Sequence, residues 1–493
     1  MGPMVKRLLR IARWIASAIV VALVTVFVVR AVDSQRGPPL ELWHTLAPEE
    51  LSRAALDRAD FAAYLAAEDR LFAEVRREVS DKLPPRARVP YDRYYADSPI
   101  FPARFAQDFN RSFVLEPEGP VRGVAVLLHG LTDSPYSLRH VARRYAALGF
   151  LAISIRLPGH GTVPGALIGV DYDDWRAATR LAVREAKRRV PDGPFHLVGY
   201  SNGGALALMH ALDAIDDPAL GRPDKIVLVS PMVGVTAFAR FAGLAGWPAI
   251  FPAFAKAAWL SIIPEFNPFK YNSFPVHAAR QSWLLTQALG ENMRRHLKGG
   301  LIDGLGPVLT FQSVLDHTVS TRAVIDQLHR RLPDNGSELV LFDINRDASF
   351  EQLLTVRADT ALDRLLPPAP RPFRVAVVAN AAADSSRAEV RETPAHAAEE
   401  VRRPLGIAYP RDVYSLSHVA LPFPLEDGLY GLEPDPADAF GIRLGNIAAR
   451  GEYGALVVDV DMLVRMSSNP FFPYLLERVA AGIAPLSRAA PAP

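Results

Sequence analysis

Cysteine is absent from this chain of 493 residues, and its absence narrows the chemistry that the protein can carry. It excludes a thiol nucleophile, cysteine-ligated zinc and iron–sulfur centres, disulfides and a lipid-modified N-terminal cysteine. It does not fix the compartment, because a chain of this size can bury a sufficient core without disulfide bonds.

An excess of charge of one sign is also missing. The formal net charge is only +2, and no dense run of Lys and Arg interleaved with aromatic residues follows the N-terminus. A nucleic acid is therefore not expected as a partner. The content of 49% hydrophobic and 22% charged residues indicates a globular chain. The length predicts one large domain with insertions, or two domains.

One long apolar run, Trp14–Val29, lies near the N-terminus behind four basic residues, which are Lys6, Arg7, Arg10 and Arg13. As a helix it spans about 24 Å, and its extension to Ile11–Val29 nearly reaches the roughly 30 Å of a hydrocarbon core. We expect an uncleaved anchor; the alternative is a signal peptide, but Arg30 interrupts its cleavage pattern. The basic cluster predicts a cytoplasmic N-terminus and an extracytoplasmic remainder, periplasmic if the source is bacterial.

The sequence Gly199-Tyr200-Ser201-Asn202-Gly203 joins an apolar run to a helix-prone run, Ala205–Leu212. A sharp strand-to-helix turn crowds the backbone, so the two glycines relieve clashes and the Ser201 hydroxyl projects outward. The backbone amide of Asn202 points at the same place and can stabilise an oxyanion. The pattern predicts a nucleophilic serine, and an ordinary Gly-Ser turn is the alternative.

Around this turn, strands alternate with helices of 10 to 15 residues, which predicts a mostly parallel sheet with helices on both faces. Two further runs, Arg111–Pro117 and Val121–Leu128, are predicted to form a strand pair joined by the turn Glu118-Gly119-Pro120. The other expected elements of this part are helix Pro135–Leu148, strand Phe150–Arg156, helix Trp175–Arg189 and strand Lys225–Ser230.

On these residues the sequence resembles serine hydrolases of the α/β-hydrolase fold, related to monoacylglycerol lipases, lysophospholipases, bacterial carboxylesterases and serine aminopeptidases. The resemblance covers roughly residues 111–345 and 414–421 and rests on His129–Ser137, Leu157–Gly161, Gly199–Gly204 and a later Asp and His in the expected order. It implies a second oxyanion donor, the backbone N–H of Leu131. The absence of a His-Gly-Gly-Gly run argues against the hormone-sensitive-lipase branch.

Asp316 follows a buried strand and occupies the position of the family's catalytic acid. Its alternative role is to cap the helix predicted over Thr321–Leu332. The other candidates for the acid are Asp343 and Asp347. They follow the next strand, Glu338–Phe342, and therefore lie one strand beyond the position of the family's catalytic acid.

His418 is the last histidine in the chain and follows Asp412–Ser417, a run that we interpret as a strand. The order Ser, Asp, His is the order of this fold, so His418 is the expected base. His396, in a polar Ala/Glu-rich segment, is the alternative, and His129 and His160 are interpreted as scaffold residues.

The spacing of the elements divides the chain into seven expected parts. They are a cytoplasmic tip and transmembrane anchor (1–32), a helical arm (33–105), the first part of the hydrolase core (106–231), a lid insertion (232–306), the second part of the core (307–345), another insertion (346–411) and the C-terminal part of the core (412–493). In the second insertion we expect a helical part, Ser349–Leu366, and a strand, Phe373–Ala379, that extends the sheet or begins a small subdomain.

The lid insertion is rich in Phe and Trp, which favours an acyl chain over a polar substrate. Among its aromatic residues are Phe238, Phe241, Trp259 and Phe266, and the last two are expected to set a chain-length preference. The sequence thus predicts a membrane-anchored serine hydrolase for lipid or acyl esters, with no metal or organic cofactor. A serine aminopeptidase, an acyltransferase and a non-catalytic binding protein with the same fold are the alternatives.

Overall fold

The structure is a computed structural model, and it describes residues 2–234, 246–347, 360–446, 452, 456, 465 and 467–483. Its helices are α1 Pro3–Arg36, α2 Leu42–Thr45, α3 Arg53–Arg58, α4 Phe61–Glu78, α5 Arg139–Ala147, α6 Tyr172–Arg189, α7 Asn202–Asp216, α8 Val276–Arg295, α9 Thr321–Ala323, α10 Ala361–Leu365 and α11 Phe472–Ala481. Its strands are β1 Phe113–Leu115, β2 Gly123–Leu128, β3 Phe150–Ile155, β4 Phe195–Tyr200, β5 Lys225–Val229, β6 Trp259–Ser261, β7 Phe274–Pro275, β8 Leu297–Lys298, β9 Leu301–Ile302, β10 Val308–Ser313, β11 Glu338–Phe342, β12 Arg374–Asn380, β13 Arg387–Thr393 and β14 Val401–Ala408.

Ten strands form one sheet in the order β1-β3-β2-β4-β5-β10-β11-β12-β13-β14. The strands from β3 to β12 along this order run parallel to one another, and antiparallel strands lie at both ends. The central strands are buried on both faces, as their uncharged Val- and Leu-rich sequences predict. The mostly parallel sheet of the prediction is therefore confirmed.

Two hydrophobic clusters cover the two faces of the sheet. Alternate residues of β2 show this division, since Val124 and Val126 pack in the cluster with α6 and α7, whereas Ala125 and Leu127 pack in the cluster with α5 and α11. Alternation of this kind follows from the two-residue period of a strand. Because helices cover both faces of the sheet, the loops that follow the parallel strands meet at the carboxyl ends of those strands.

The expected pairing of the first two strands is wrong. β1 pairs antiparallel with β3, with Phe113 opposite Ser154, and it does not pair with β2. The reason is that β2 already lies between β3 and β4, with parallel partners on both sides, so it offers no free edge. The outer edge of β3 is the open one.

The region after residue 345 extends the sheet. β12 pairs parallel with β11, with Phe342 opposite Val378, and β13 and β14 add an antiparallel meander at the end. Of the helical part expected over Ser349–Leu366, the described portion contains α10, while residues 348–359 lie outside the described residues.

The N-terminal region contains the helices α1 to α4. α1 is long and apolar enough to cross a membrane, by length and composition, and a signal sequence would pass the same test. α4 packs on the core and brings Glu68 to Arg156, whose side chain also pairs with Glu50. Because Arg156 is fully buried, these carboxylates keep its charge partnered and join this region to the end of β3.

Residues 246–306 contain short 3-10 turns, the two-stranded ribbons β6–β7 and β8–β9, and α8, which packs on α7. Trp259 is buried with its ring edge against His44, 4.8 Å between centroids, and Phe266 is half-buried against the cluster that contains α5. Phe238 and Phe241 lie outside the described residues.

Candidate active site

Ser201 lies at the junction of β4 and α7, where its backbone has φ 53° and ψ −115°. A positive φ is unfavourable for a residue with a Cβ, so the surrounding structure must hold it. The Ser201 amide donates to the Val229 carbonyl at 3.0 Å, and the Ser201 carbonyl accepts from the Met232 amide at 3.0 Å. The turn is thereby fixed to β5 and to the residues that follow it.

Both glycines of the motif are required by close backbone contacts. A Cβ at Gly199 would overlap the carbonyl oxygen of Gly203, and one at Gly203 would overlap the carbonyl oxygen of Leu128. Backbone atoms leave no room to relax, so side chains at either position would displace the strand or the helix. The turn therefore depends on glycine at positions 199 and 203, the two glycines of the G-x-S-x-G motif.

The two expected oxyanion donors flank this turn. The loop after β2 approaches closely, since a Cβ on Gly130 would lie 3.3 Å from the Cβ of Ser201. Within the described part of the chain, the amides of Leu131 and Asn202 donate to no protein group. The loop is held from outside by Tyr271, whose amide donates to the Thr132 carbonyl at 2.8 Å. Unpaired N–H groups beside a serine hydroxyl are suited to an oxyanion.

Asp316 follows β10 and carries a fully buried side chain. Its Oδ1 accepts from the amides of Thr318 and Val319, at 2.8 and 3.0 Å. Its Oδ2 accepts from His418 Nδ1 at 2.9 Å and from Gln312 Nε2 at 3.0 Å. Burial raises the pKa of Asp316, but the charge of His418 and these hydrogen bonds outweigh it and leave the pKa below its ordinary value. The carboxyl group is therefore ionised at neutral pH.

His418 is buried and faces this carboxylate. Because an ionised carboxylate can only accept, the neutral imidazole carries its proton on Nδ1 and leaves Nε2 bare. The ring stacks on Tyr200, with 5.3 Å between centroids and 29° between planes. Tyr200 directly precedes Ser201, so one aromatic residue connects the serine turn to the histidine. No hydrogen bond joins the Ser201 hydroxyl to His418 among the described residues.

The strand expected before His418 is wrong, because residues 412–418 lie in turns without ladder pairing. After β14 the chain returns across the carboxyl ends of β12 and β11. Side chains guide it, since the Tyr409 hydroxyl donates to the carbonyls of Val378 and Asp343, and the Asn345 amide group donates to the carbonyls of Pro410 and Val413. This path brings His418 back to Asp316 over a separation of 102 residues.

The alternative acid and base lie elsewhere. Asp343 directly follows β11, where burial raises its pKa and Arg346 is its ion-pair partner at 3.5 Å. Asp347 is beside Arg411, at 3.9 Å. His396 is exposed and lies 3.3 Å from Asp334.

The two scaffold histidines are buried. His129 Nε2 accepts from the Leu157 amide at 3.0 Å, and burial lowers the pKa of His129 well below its ordinary value. Burial also lowers the pKa of His160, to about 3. Both are therefore neutral, and His129 joins the loop after β2 to the loop after β3.

Three residues at this site were not predicted. Gln312 donates to Asp316, Tyr200 stacks on His418, and the exposed Arg465 binds both loops through Thr318 and the Ser417 hydroxyl. A polar Gln within an otherwise apolar strand, four residues before the acid, is the signal that could have indicated the first. Arg465 has no such signal, since it is far along the chain in a segment without a motif.

Within the described residues, no group of three or more His, Asp or Glu side chains could hold a metal ion. A serine on a strained turn, a base with a bare nitrogen and a buried carboxylate are the parts needed for nucleophilic catalysis.

Comparison with known proteins gives matches to lipases and esterases. A family model described as serine aminopeptidase, S33, matches residues 119–266. A thermostable monoacylglycerol lipase from Bacillus sp. (strain H-257) is 37% identical over 90 residues, which cover 18% of this chain and 34% of that protein. The chain thus spans about a third of the length of this relative.

Several solved structures are also similar, all at low identity. One from a study of metagenome-derived lipolytic enzymes is 21% identical, covers 48% of this chain and 88% of its own, and has a TM-score of 0.38. The monoglyceride lipase of Saccharomyces cerevisiae is 14% identical, with coverage of 47% and 81% and a TM-score of 0.37. The monoacylglycerol lipase of Paleococcus ferrophilus is 16% identical, with coverage of 52% and 97% and a TM-score of 0.36. With the matched family model and the sheet described above, the expected resemblance is confirmed: the chain has an α/β-hydrolase fold and is similar to hydrolases of the lipase and esterase type.

Proposed function

We propose that this protein is a serine hydrolase that cleaves lipid or acyl esters through an acyl-Ser201 intermediate, with His418 as the base and Asp316 as the acid partner. The observation that carries the proposal is the hydrogen bond of 2.9 Å between His418 Nδ1 and Asp316 Oδ2. Two buried side chains that are 102 residues apart meet near a strained serine turn, and this arrangement supports the proposal of a catalytic triad.

In the first step, His418 Nε2 removes the Ser201 proton while Oγ attacks the ester carbonyl. Asp316 stabilises the imidazolium that forms and holds the tautomer, without taking the proton. The amides of Leu131 and Asn202 donate to the oxyanion of the tetrahedral intermediate. Collapse breaks the bond to the leaving alcohol, which receives its proton from His418. Water then attacks the acyl-serine by the same sequence, releasing the acid and restoring the Ser201 hydroxyl.

In the absence of substrate, a hydrogen bond between serine and base is not required for this role. Catalytic hydrogen bonds are often long in free enzymes and shorten when substrate binds. Tyr200 supports the approach, because it fixes the imidazole ring beside the residue that precedes the nucleophile.

The substrate class is proposed from the similarity to a monoacylglycerol lipase and from the aromatic insertion at 232–306. In an apolar acyl site, kcat/KM rises with the length of the acyl chain, since each buried methylene contributes about 0.8 kcal/mol. Four additional carbons correspond to about 3 kcal/mol, or roughly two decades in kcat/KM before the cost of ordering the chain. In a polar, open site, kcat/KM does not change with acyl chain length.

The test is labelling with a fluorophosphonate probe, followed by hydrolysis of p-nitrophenyl esters from acetate to medium-chain acids alongside aminoacyl amides. We expect covalent labelling at Ser201 and rates that rise with chain length. The matched family model is described as serine aminopeptidase, so faster cleavage of the amides would replace the ester assignment with a peptidase. Absence of labelling would favour the alternative of a non-catalytic binding protein with the same fold.

We further propose that α1 anchors the protein and that the hydrolase lies on the extracytoplasmic side. Its basic residues precede the apolar run, as expected for a cytoplasmic N-terminus. An alkaline phosphatase fusion after residue 100 should be active, whereas a reporter that works only in the cytoplasm should be silent. Release of the exported protein into the soluble fraction would instead identify a cleaved signal.

A further inference from the structure

Four apolar side chains are exposed on one short segment of this protein. The segment, residues 246–261 and here named the collar, includes two 3-10 turns and β6. Its exposed residues are Trp247, Ile250, Phe251 and Leu260, of which Ile250 is the most exposed at 71%. The collar contains no acidic residue, and its single charged residue is Lys256. Exposed apolar side chains that are grouped on one segment are typical of a contact with another apolar phase.

The collar packs directly against the C-terminal half of α1. The ring of Phe27 meets the rings of Phe251 and Phe254 edge to face, with centroids 6.1 and 6.2 Å apart. Phe27 lies two residues before the end of the apolar run at Val29, a distance of about 3 Å along a helix. A side chain in contact with Phe27 is therefore at the depth where the hydrocarbon of a spanned bilayer begins.

Hydrogen bonds fix this relation. The Arg30 guanidinium donates to the Trp259 carbonyl at 3.1 Å, and the Gln35 amide group donates to the Ala253 carbonyl at 2.8 Å. The Lys256 ammonium donates to the Gly37 carbonyl at 2.8 Å. α1 and the collar thus form one unit, in which the anchor is not a free tether.

We propose that the collar inserts its exposed apolar side chains into the outer leaflet of the membrane that α1 crosses, and so holds the hydrolase at a fixed height on the lipid surface. The occupant of this surface is the bilayer itself, because the collar continues the lipid-facing surface of α1. Trp247 suits the interface as an aromatic residue, and Lys256 places positive charge at the level of anionic headgroups. The inference rests on the membrane anchor of the proposed function.

The absence of cysteine makes the test direct, since a single introduced thiol is unique in this chain. Three variants, Ile250→Cys, Val24→Cys and Val401→Cys, each carry an environment-sensitive nitrobenzoxadiazole label. All three positions are at least half exposed, so each label replaces few packing contacts. Val24 reports on α1, and Val401 on β14 is the matched control outside the collar. Thermal unfolding of each labelled protein checks that it is folded.

The proteins are reconstituted in vesicles of phosphatidylcholine and phosphatidylglycerol. We expect doxyl-labelled lipid to quench the label at 250 at least twofold more than the label at 401, and iodide to quench only the latter. If iodide reaches position 250 as readily as 401 while position 24 is quenched by lipid, the collar proposal is wrong and the anchor stands. If iodide also quenches the label at position 24, α1 does not cross the bilayer and the proposal of a membrane anchor is wrong. Protection of position 250 from both quenchers would mean that protein covers the collar, which also overturns the proposal.

Discussion

The turn at the proposed nucleophile and the pair of side chains proposed to assist it are built in opposite ways. The Ser201 turn is made by five consecutive residues, whose two glycines and positive φ are local requirements. The pair of Asp316 and His418 comes from residues that are 102 positions apart, and it is assembled by a loop that crosses the ends of two strands. One half of the site depends on backbone sterics and the other on hydrogen bonds between distant segments.

This difference shows which changes each half can tolerate. The turn has backbone neighbours where a Cβ would be, so it fails by displacement of main chain. The pair is held by side chains such as Asn345 and Tyr409, so it can weaken by degrees as single hydrogen bonds are lost. Side chains introduced at Gly199 or Gly203 should therefore disrupt the turn outright, whereas substitutions of the side chains that hold the pair should give a graded series of losses.

The largest effect is expected for Ser201→Ala. Loss of the nucleophile should reduce kcat by about 10⁵ to 10⁶, because no other group can form the acyl intermediate. Stability should change little, since the hydroxyl has no partner within the described residues. Hydrolysis of a p-nitrophenyl ester and urea unfolding measure the two quantities. Retention of a tenth of the activity would remove Ser201 from the mechanism.

His418→Ala should come next, with a loss of about 10⁴ to 10⁶ in kcat, because a neutral hydroxyl without a base is a poor nucleophile. The matched control is His396→Ala, which changes an exposed histidine outside the site and should leave kcat within about twofold. Labelling by a fluorophosphonate should also slow in His418→Ala alone. Equal effects of the two variants would contradict the pair described here.

Asp316→Asn should lower kcat by about 10³ to 10⁴, since an amide cannot hold the tautomer that leaves Nε2 bare. Asp343→Asn is the control at the end of the neighbouring strand, where the partner is Arg346 and not a histidine. Its kcat should stay close to that of the parent protein. If Asp343→Asn lost more activity than Asp316→Asn, Asp343 and not Asp316 would be the catalytic acid.

The local half of the site was predictable, and the distant half only in outline. The Ser201 turn is specified by neighbours in sequence, and Asp316 is placed by the strand that precedes it. Chain order predicts His418, but the strand expected before it is absent, because side-chain hydrogen bonds and not strand pairing position its loop. The pairing of β1 was also wrong, since an open edge on β3 exists only once the whole sheet has formed. Contacts of this kind depend on tertiary neighbours that a local pattern does not contain.

The smallest effect concerns Gln312, which donates to the Asp316 oxygen that also receives His418. Gln312→Met keeps the volume of the buried side chain and removes this donor. We expect kcat to fall about ten- to 150-fold, because one hydrogen bond to a charged group contributes about 1.5 to 3 kcal/mol. Gln281→Met is the matched control, a change of another buried glutamine whose partner is the Tyr172 amide.

The pH dependence of stability separates a positioning role for Gln312 from a merely structural one. The pKa of Asp316 is lower in the folded protein than its ordinary value, so its ionised form stabilises the fold above about pH 4, and this contribution is lost as the pH falls through the folded pKa. Removal of the donor raises the folded pKa, because the hydrogen bond favours the charged form. The deficit of Gln312→Met in unfolding free energy should therefore be largest near pH 7 and shrink toward pH 3, whereas the deficit of Gln281→Met should stay constant. Urea unfolding across this range measures both, and parallel curves for the two variants would mean that Gln312 only fills space beside Asp316.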